Sequence, residues 1–194
     1  QICPQCTKPS IGGFTHALCL KPLSAERAIC LFKFEGPLRE AISQLKYKGV
    51  RGLAESLAEL TTESLKDSGV DLGTCSIIIP VPIHPVKQLD RGFNQSAILA
   101  SLLGKGLGIE VWSDFLLKTR DNSSQTKLKL KERARNVRFT YRVERKDKRR
   151  KIIKGRDVII LDDVFTSGAT LKECVKVIKR AGARFVYLLA IAKG

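Results

Sequence analysis

The stretch VIILDDVFTSGAT (Val158–Thr170) constrains this chain more than any other. A β-branched apolar run ends in two adjacent carboxylates, Asp162 and Asp163, and a hydroxyl-rich turn with one glycine follows. The next residues, TLKECVKVIKRAGAR, place Leu171, Cys174, Val175 and Ile178 on one helical face. A buried strand turning tightly into an amphipathic helix belongs to a parallel sheet. In such a sheet ligands collect beyond the carboxyl ends of the strands, which is where the two acids fall. The unpaired amides and positive dipole end of the following helix favour an anion, above all a phosphate. Gly168 lets the backbone approach closely, Ala169 adds an amide, and the hydroxyls of Thr166, Ser167 and Thr170 add donors. Carboxylates beside a phosphate repel it unless they face another group, and ribose hydroxyls suit them as donors. The string therefore points to a sugar phosphate. A capped helix with two solvated acids would account for a bare acid pair, not for the whole string.

Other phosphate motifs are missing. No G-x-x-x-x-G-K-[ST] run occurs, which argues against a P-loop, and no G-x-G-x-x-G follows a strand, which argues against a dinucleotide fold.

The remaining periodicities predict an α/β chain. CLFKFEG (Cys30–Gly36) reads as a weak strand. Leu38, Ala41, Ile42 and Leu45 then mark a helix that Gly49 would stop, and a second helix covers Leu53 to Leu65. CSIIIPVP (Cys75–Pro82) is a buried strand bounded by proline. FNQSAILASLLGKG gives a helix that Gly104 and Gly106 would end. DFLLKTR and RFTYRV are further strand candidates, and FVYLLAIA closes the chain as a buried strand. Strands alternating with helices imply a parallel sheet with right-handed connections.

The net charge is +16, and Lys127–Arg156 carries +12 of it, with fifteen basic residues against Glu132, Glu144 and Asp147. A block of this kind attracts polyanions: nucleic acid, a phosphorylated small molecule or an acidic membrane surface. A solvated, mobile surface arm is the plainer reading. Phe139 and Tyr141 are the only aromatics in the block, so base stacking would be limited. No apolar run is long enough for a membrane span, and no signal peptide is visible, so the cytoplasm is the default location. The chain starts at Gln1 and contains no methionine, so its natural start is expected upstream.

Residues 1–24 are rich in Cys, Pro and Gly and lack periodicity. Cys3 and Cys6 form one C-x₂-C knuckle, and His16 with Cys19 repeats the spacing, a Cys₃His set suited to structural Zn²⁺. Cys30 competes as the fourth ligand, while Cys75 and Cys174 sit at apolar positions and read as core thiols. A disulfide framework would require an oxidising compartment, for which nothing speaks.

VIILDDVFTSGAT resembles the phosphoribosyl pyrophosphate (PRPP) signature of type I phosphoribosyltransferases. FEGPLREAISQLKYKG (Phe34–Gly49), PVPIHPVKQLDRGFNQSAILA (Pro80–Ala100) and TRDNSSQTKLKLKERARNVRF (Thr119–Phe139) are similar to the ComF family of bacterial competence proteins. The resemblance implies a type I phosphoribosyltransferase fold, a parallel sheet flanked by helices, over residues 25–194, with a zinc-ribbon-like module over 1–24. It implies that Asp162 and Asp163 hold ribose hydroxyls and Mg²⁺, and that Thr166–Thr170 hold the 5′-phosphate. Lys87 and Arg91, in the loop HPVKQLDRG, would face the pyrophosphate. Arg120, Gln125, Arg133 and Asn136 match the family pattern in a mobile loop over PRPP, although ordinary surface roles fit each equally well. His84 either touches a ligand or shapes its loop. Family members carry cysteine where His16 stands, and longer ones carry another cysteine pair upstream.

Two functions follow from the likeness. In the first, a PRPP-binding protein of DNA uptake and natural transformation grips single-stranded DNA with its basic block, alongside the uptake machinery. In the second, a Mg²⁺-dependent phosphoribosyltransferase acts on an unknown acceptor. No general base for the second stands out.

Overall fold

The computed structural model describes residues 1–48, 51–70, 72, 74–120 and 140–194. Five parallel strands form its main sheet in the order β1-β7-β6-β2-β3. They span Arg27–Lys33 (β1), Cys75–Pro80 (β2), Glu110–Val111 (β3), Asp157–Phe165 (β6) and Val186–Lys193 (β7). β6 lies between β7 and β2, with Ile160 opposite Leu188 on one side and Ile79 on the other. The strand richest in β-branched residues thus takes a central place, covered on both faces.

Alternate residues of β6 feed two cores. Val158 and Ile160 pack with α6 (Ala169–Ala181) through Leu171, Cys174, Val175 and Ile178, and with Trp112, Phe115, Tyr141 and Ile153. Ile159 and Leu161 face α1 (Gly36–Lys48), α2 (Arg51–Asp67) and α4 (Gln95–Leu107) through Ile42, Leu45, Leu57, Leu99 and Leu103. A short antiparallel pair, β4 (Leu117–Lys118) with β5 (Tyr141–Arg142), stands beside the sheet.

Several expectations shift. The first strand starts three residues before Cys30, because Arg27, Ala28 and Ile29 pair with Tyr187, Leu188 and Leu189. HPVKQLDRG is not a loop throughout: Pro85–Arg91 forms a helix, α3, with Pro85 in its first turn and His84 accepting from the Val86 amide at 3.4 Å. Gly104 and Gly106 do not stop α4, which ends at Gly108 in the left-handed region (φ 69°). A Cβ on Gly104 would lie 2.3 Å from Val111 Cγ2 and 2.7 Å from the Ile109 carbonyl, so this glycine serves the close approach of α4 to β3. DFLLKTR gives only the two residues of β4, and α5 (Arg149–Ile152) was not signalled by periodicity. Gly49 and the start of RFTYRV lie outside the described residues.

Residues 1–24 dock at the free edge of β1. Phe14 bridges Arg27, the Thr15 amide donates to the Glu26 carbonyl at 2.8 Å, and Arg27 Nε donates to the Gly12 carbonyl at 2.5 Å. Ile2 is buried in the same core as α6. Among the described residues no helix is long and apolar enough to cross a membrane.

Candidate functional site

At the carboxyl end of β6 the chain turns through Thr166, Ser167 and Gly168 into α6. Gly168 adopts φ 70°, and a Cβ there would meet Phe165 Cζ at 2.6 Å. Both facts call for glycine. The N-cap residue, Gly168, has no side chain to cap the helix, and the Ala169 amide makes only a long contact to Ser167 Oγ at 3.5 Å, so this end of the helix can still receive an anion. Thr166 and Ser167 are exposed, while Ala169 and Thr170 are half-buried. Asp162, Val164 and residues 166–171 enclose a hollow of about 50 Å³. The structure therefore brings together the turn residues and one of the two acids.

The acids diverge because successive strand residues point to opposite faces. Asp162, half-buried, accepts from Ser96 Oγ at 3.0 Å and from the Asp163 amide at 3.0 Å. Burial, and next the neighbouring Asp163 charge, push its carboxyl up to about 7, against the pull of those hydrogen bonds and of Lys46. Asp163 is buried on the other face, 2.7 Å from Lys46 Nζ of α1. Gln95 Nε2 donates to the same oxygen at 3.4 Å. Lys46, Gln95 and Ser96 went unread in the sequence. The available signals were that Lys46 adjoins the apolar stripe at Leu45, and that Gln95 and Ser96 open a helix beside the sheet.

For Mg²⁺ the donor chemistry fits: two carboxylates and a buried amide oxygen are hard oxygen ligands. Lys87 and Arg91 lie on α3, which follows β2 on the same rim, both half-buried. Neither lines the hollow that Asp162 shares with the turn. A hollow of about 900 Å³ lies elsewhere on this side, lined by residues that include His84, Asn94, Ser101, Asp114 and Arg142. It marks size rather than chemistry, since neither acid nor the turn lines it.

The cysteine module forms a second site. One ligand atom from each of Cys3, Cys6, His16 and Cys19 lies within 4.8 Å of the others. Cys6 Sγ is 3.4 Å from His16 Nδ1, and His16 Nε2 is 3.1 Å from the Pro9 carbonyl. That carbonyl accepts a hydrogen bond from Nε2–H, which leaves Nδ1 as the ligand nitrogen. Thr7, at φ 60°, turns the first knuckle back so that the Cys3 amide reaches the Lys8 carbonyl at 2.9 Å. Three soft thiols and an imidazole at this spacing fit zinc. Cys30 stands apart in β1, its thiol pushed up to about 11, chiefly by burial. None of the six cysteines forms a disulfide.

The basic block divides. Gln125, Arg133 and Asn136 lie outside the described residues, and Arg120 is exposed just beyond β4. Arg149 is a structural cation: it pairs with Asp114 at 2.6 Å and Asp147 at 2.7 Å and lies over the Trp112 and Phe115 rings. Tyr141 is buried in the core, so it cannot stack on a base. Arg145, Lys146, Lys148, Lys151, Lys154 and Arg156 remain exposed.

A parallel sheet with an acid pair at its rim and a glycine turn into the following helix defines a domain of the phosphoribosyltransferase type, and residues 89–193 match the family of the phosphoribosyl transferase domain. Over 99% of its length the chain is 30% identical to DNA utilization protein YhgH of Shigella flexneri, covering 84% of that protein. It is 26% identical to competence protein F of Haemophilus influenzae, covering 90% of this chain and 76% of that one. Competence protein ComFC of Bacillus subtilis is likewise 26% identical, with coverage of 88% and 68%. The chain belongs to the ComF family of competence proteins and carries that family's phosphoribosyltransferase domain. A solved glutamine PRPP amidotransferase from B. subtilis aligns with 71% of this chain and 26% of that one, at 19% identity and a TM-score of 0.46, too distant to inform the chemistry.

Proposed function

We propose that this protein binds PRPP with Mg²⁺ at the carboxyl rim of its sheet and serves DNA uptake by holding single-stranded DNA on its basic surface. The observation that carries the reading is the hollow shared by Asp162 and the turn into α6, which sets a helix N-terminus beside an acceptor for hydroxyls. In it, the 5′-phosphate rests on the amides and hydroxyls of residues 166–170, and Asp162 accepts from the ribose. Asp162 and Asp163 are the residues that would hold Mg²⁺ together with the ligand's phosphates, and the ion would supply charge to screen the diphosphate. Lys87 and Arg91 meet that diphosphate from α3. Zn²⁺ on Cys3, Cys6, His16 and Cys19 holds residues 1–24 as a module against β1. The relatives' names, competence and DNA utilization, support a role in uptake.

The test is a calorimetric titration of PRPP with Mg²⁺ into the parent and into Ser167→Glu, each with and without a short single-stranded DNA. Ser167→Glu places a carboxylate at the anion site, and affinity should fall by about 100-fold or more. DNA affinity should decline steeply with salt, as phosphate contacts require. A parent that takes up no PRPP ends the PRPP reading, and flat salt dependence ends the DNA one.

A further inference from the structure

The acids and the turn account for a sugar phosphate but not for the lysine that reaches them. Lys46 Nζ lies 2.7 Å from Asp163 Oδ2, with the lysine side chain 24% and the aspartate 5% exposed. Its neighbour Leu45 is fully buried, so Lys46 leaves α1 at the margin of the core and extends its stem to the rim. Gln95 donates to the same carboxylate, while its Oε1 is buried without a partner. Reversing that amide would set its oxygen against the carboxylate, so the orientation follows from the chemistry. An orphaned buried acceptor on the side chain that donates to Asp163 calls for a positive guest. Asp163 and Gln95 Oε1 offer oxygens of the kind a hard divalent cation takes, and Asp162 is the next residue along the strand.

We propose that Lys46 is an internal counter-ion that keeps the cation's place at Asp163, so that the rim accepts a divalent metal only when a phosphorylated sugar brings it. The inference rests on the PRPP reading of the rim. With Lys46 in place, one of the two acid charges is already neutralised. What remains is too little to strip water from a bare Mg²⁺, which dehydrates reluctantly. A diphosphate ligand supplies the missing negative charge and carries the ion in. The ammonium, on a flexible four-carbon stem, then moves from Asp163 to a phosphate oxygen. Lys46 is thus a positioning residue for the metal–ligand complex.

The experiment titrates Mn²⁺ alone into the full chain and follows free Mn²⁺ by electron paramagnetic resonance, with no PRPP present. The parent should bind Mn²⁺ weakly. Lys46→Met, and Lys46→Gln, which keeps a hydrogen-bond donor for Asp163, should bind it about tenfold more tightly, as expected on losing a unit charge at this range. Lys46→Arg should behave as the parent, and Lys46→Met with Asp163→Asn should lose the gain. A parent that binds bare Mn²⁺ as tightly in the absence as in the presence of inorganic pyrophosphate overturns the proposal, and this arm needs no variant to fold. So do folded Lys46 variants that gain nothing. Because no variant arm contains PRPP, failure of the PRPP reading shows separately, in the calorimetry.

Discussion

β6 begins with one aspartate and carries two more near its carboxyl end, and the chain treats the two places differently. At its start, Asp157 accepts from Arg184 Nε at 2.8 Å, Arg184 Nη2 at 2.7 Å, the Phe185 amide at 3.3 Å and the Thr74 hydroxyl. The Arg184 hydrogen bonds in the first place hold its carboxyl below the usual range, burial opposing them. Five residues on, Asp162 has two donors among the described residues and a carboxylate for a neighbour, and its carboxyl is raised. An acid answered in full by its own chain contributes to the fold, whereas an acid left short of partners at a rim is held for a ligand.

The contrast can be broken from either end. The largest effect belongs to Asp162→Asn, which should weaken PRPP binding about 100-fold, or ~2.7 kcal/mol, with little change in melting temperature. Loss of stability on the same scale would move Asp162 to the structural side. Asp157→Asn should do the reverse, lowering stability by about 2 kcal/mol near neutral pH, or roughly 4–8 °C in Tm, with PRPP affinity unchanged. Its pH dependence has a fixed sign. Because the folded pKa is depressed, the contribution is complete above the unfolded value of about 4 and disappears as pH falls through the folded one. The gap between parent and variant melting curves should therefore close in acid. The smallest effect sharpens the comparison at the turn: Gly168→Ala should cost about 1 kcal/mol for a left-handed non-glycine residue and lower PRPP affinity a few-fold. A neutral result would mean that the Phe165 ring yields easily.

What could be read from the sequence was what is local. The β6 run, the stripe of α6 and the cysteine spacing each fit within one short window, so periodicity and ligand chemistry were enough. The role of Gly104 was misread because its partner, Val111, reaches it through the tertiary approach of α4 to a two-residue strand too short to carry a pattern. The Pro85 helix was hidden in a stretch that reads as a loop, with proline marking its first turn rather than a break. Most telling is the Lys46–Asp163 pair, whose members lie more than a hundred positions apart and meet only because α1 covers the face of β6 that Asp163 faces. The acids were legible as acids, but which of them stays open to a ligand was decided by the topology.

The docking of the cysteine module on β1 has a consequence for how the protein keeps to itself. β1 is a border strand, bonded to β7 on one side, and a border strand is an invitation to the next chain. Phe14 and the Gln1 side chain, which accepts from the Cys30 amide at 3.2 Å, occupy part of that open side. A metal ion gripping four residues near the start of the chain would then act as the clasp of a hem. If it loosens, the selvage of the sheet is bare, and molecules that passed one another in solution begin to stitch together edge to edge.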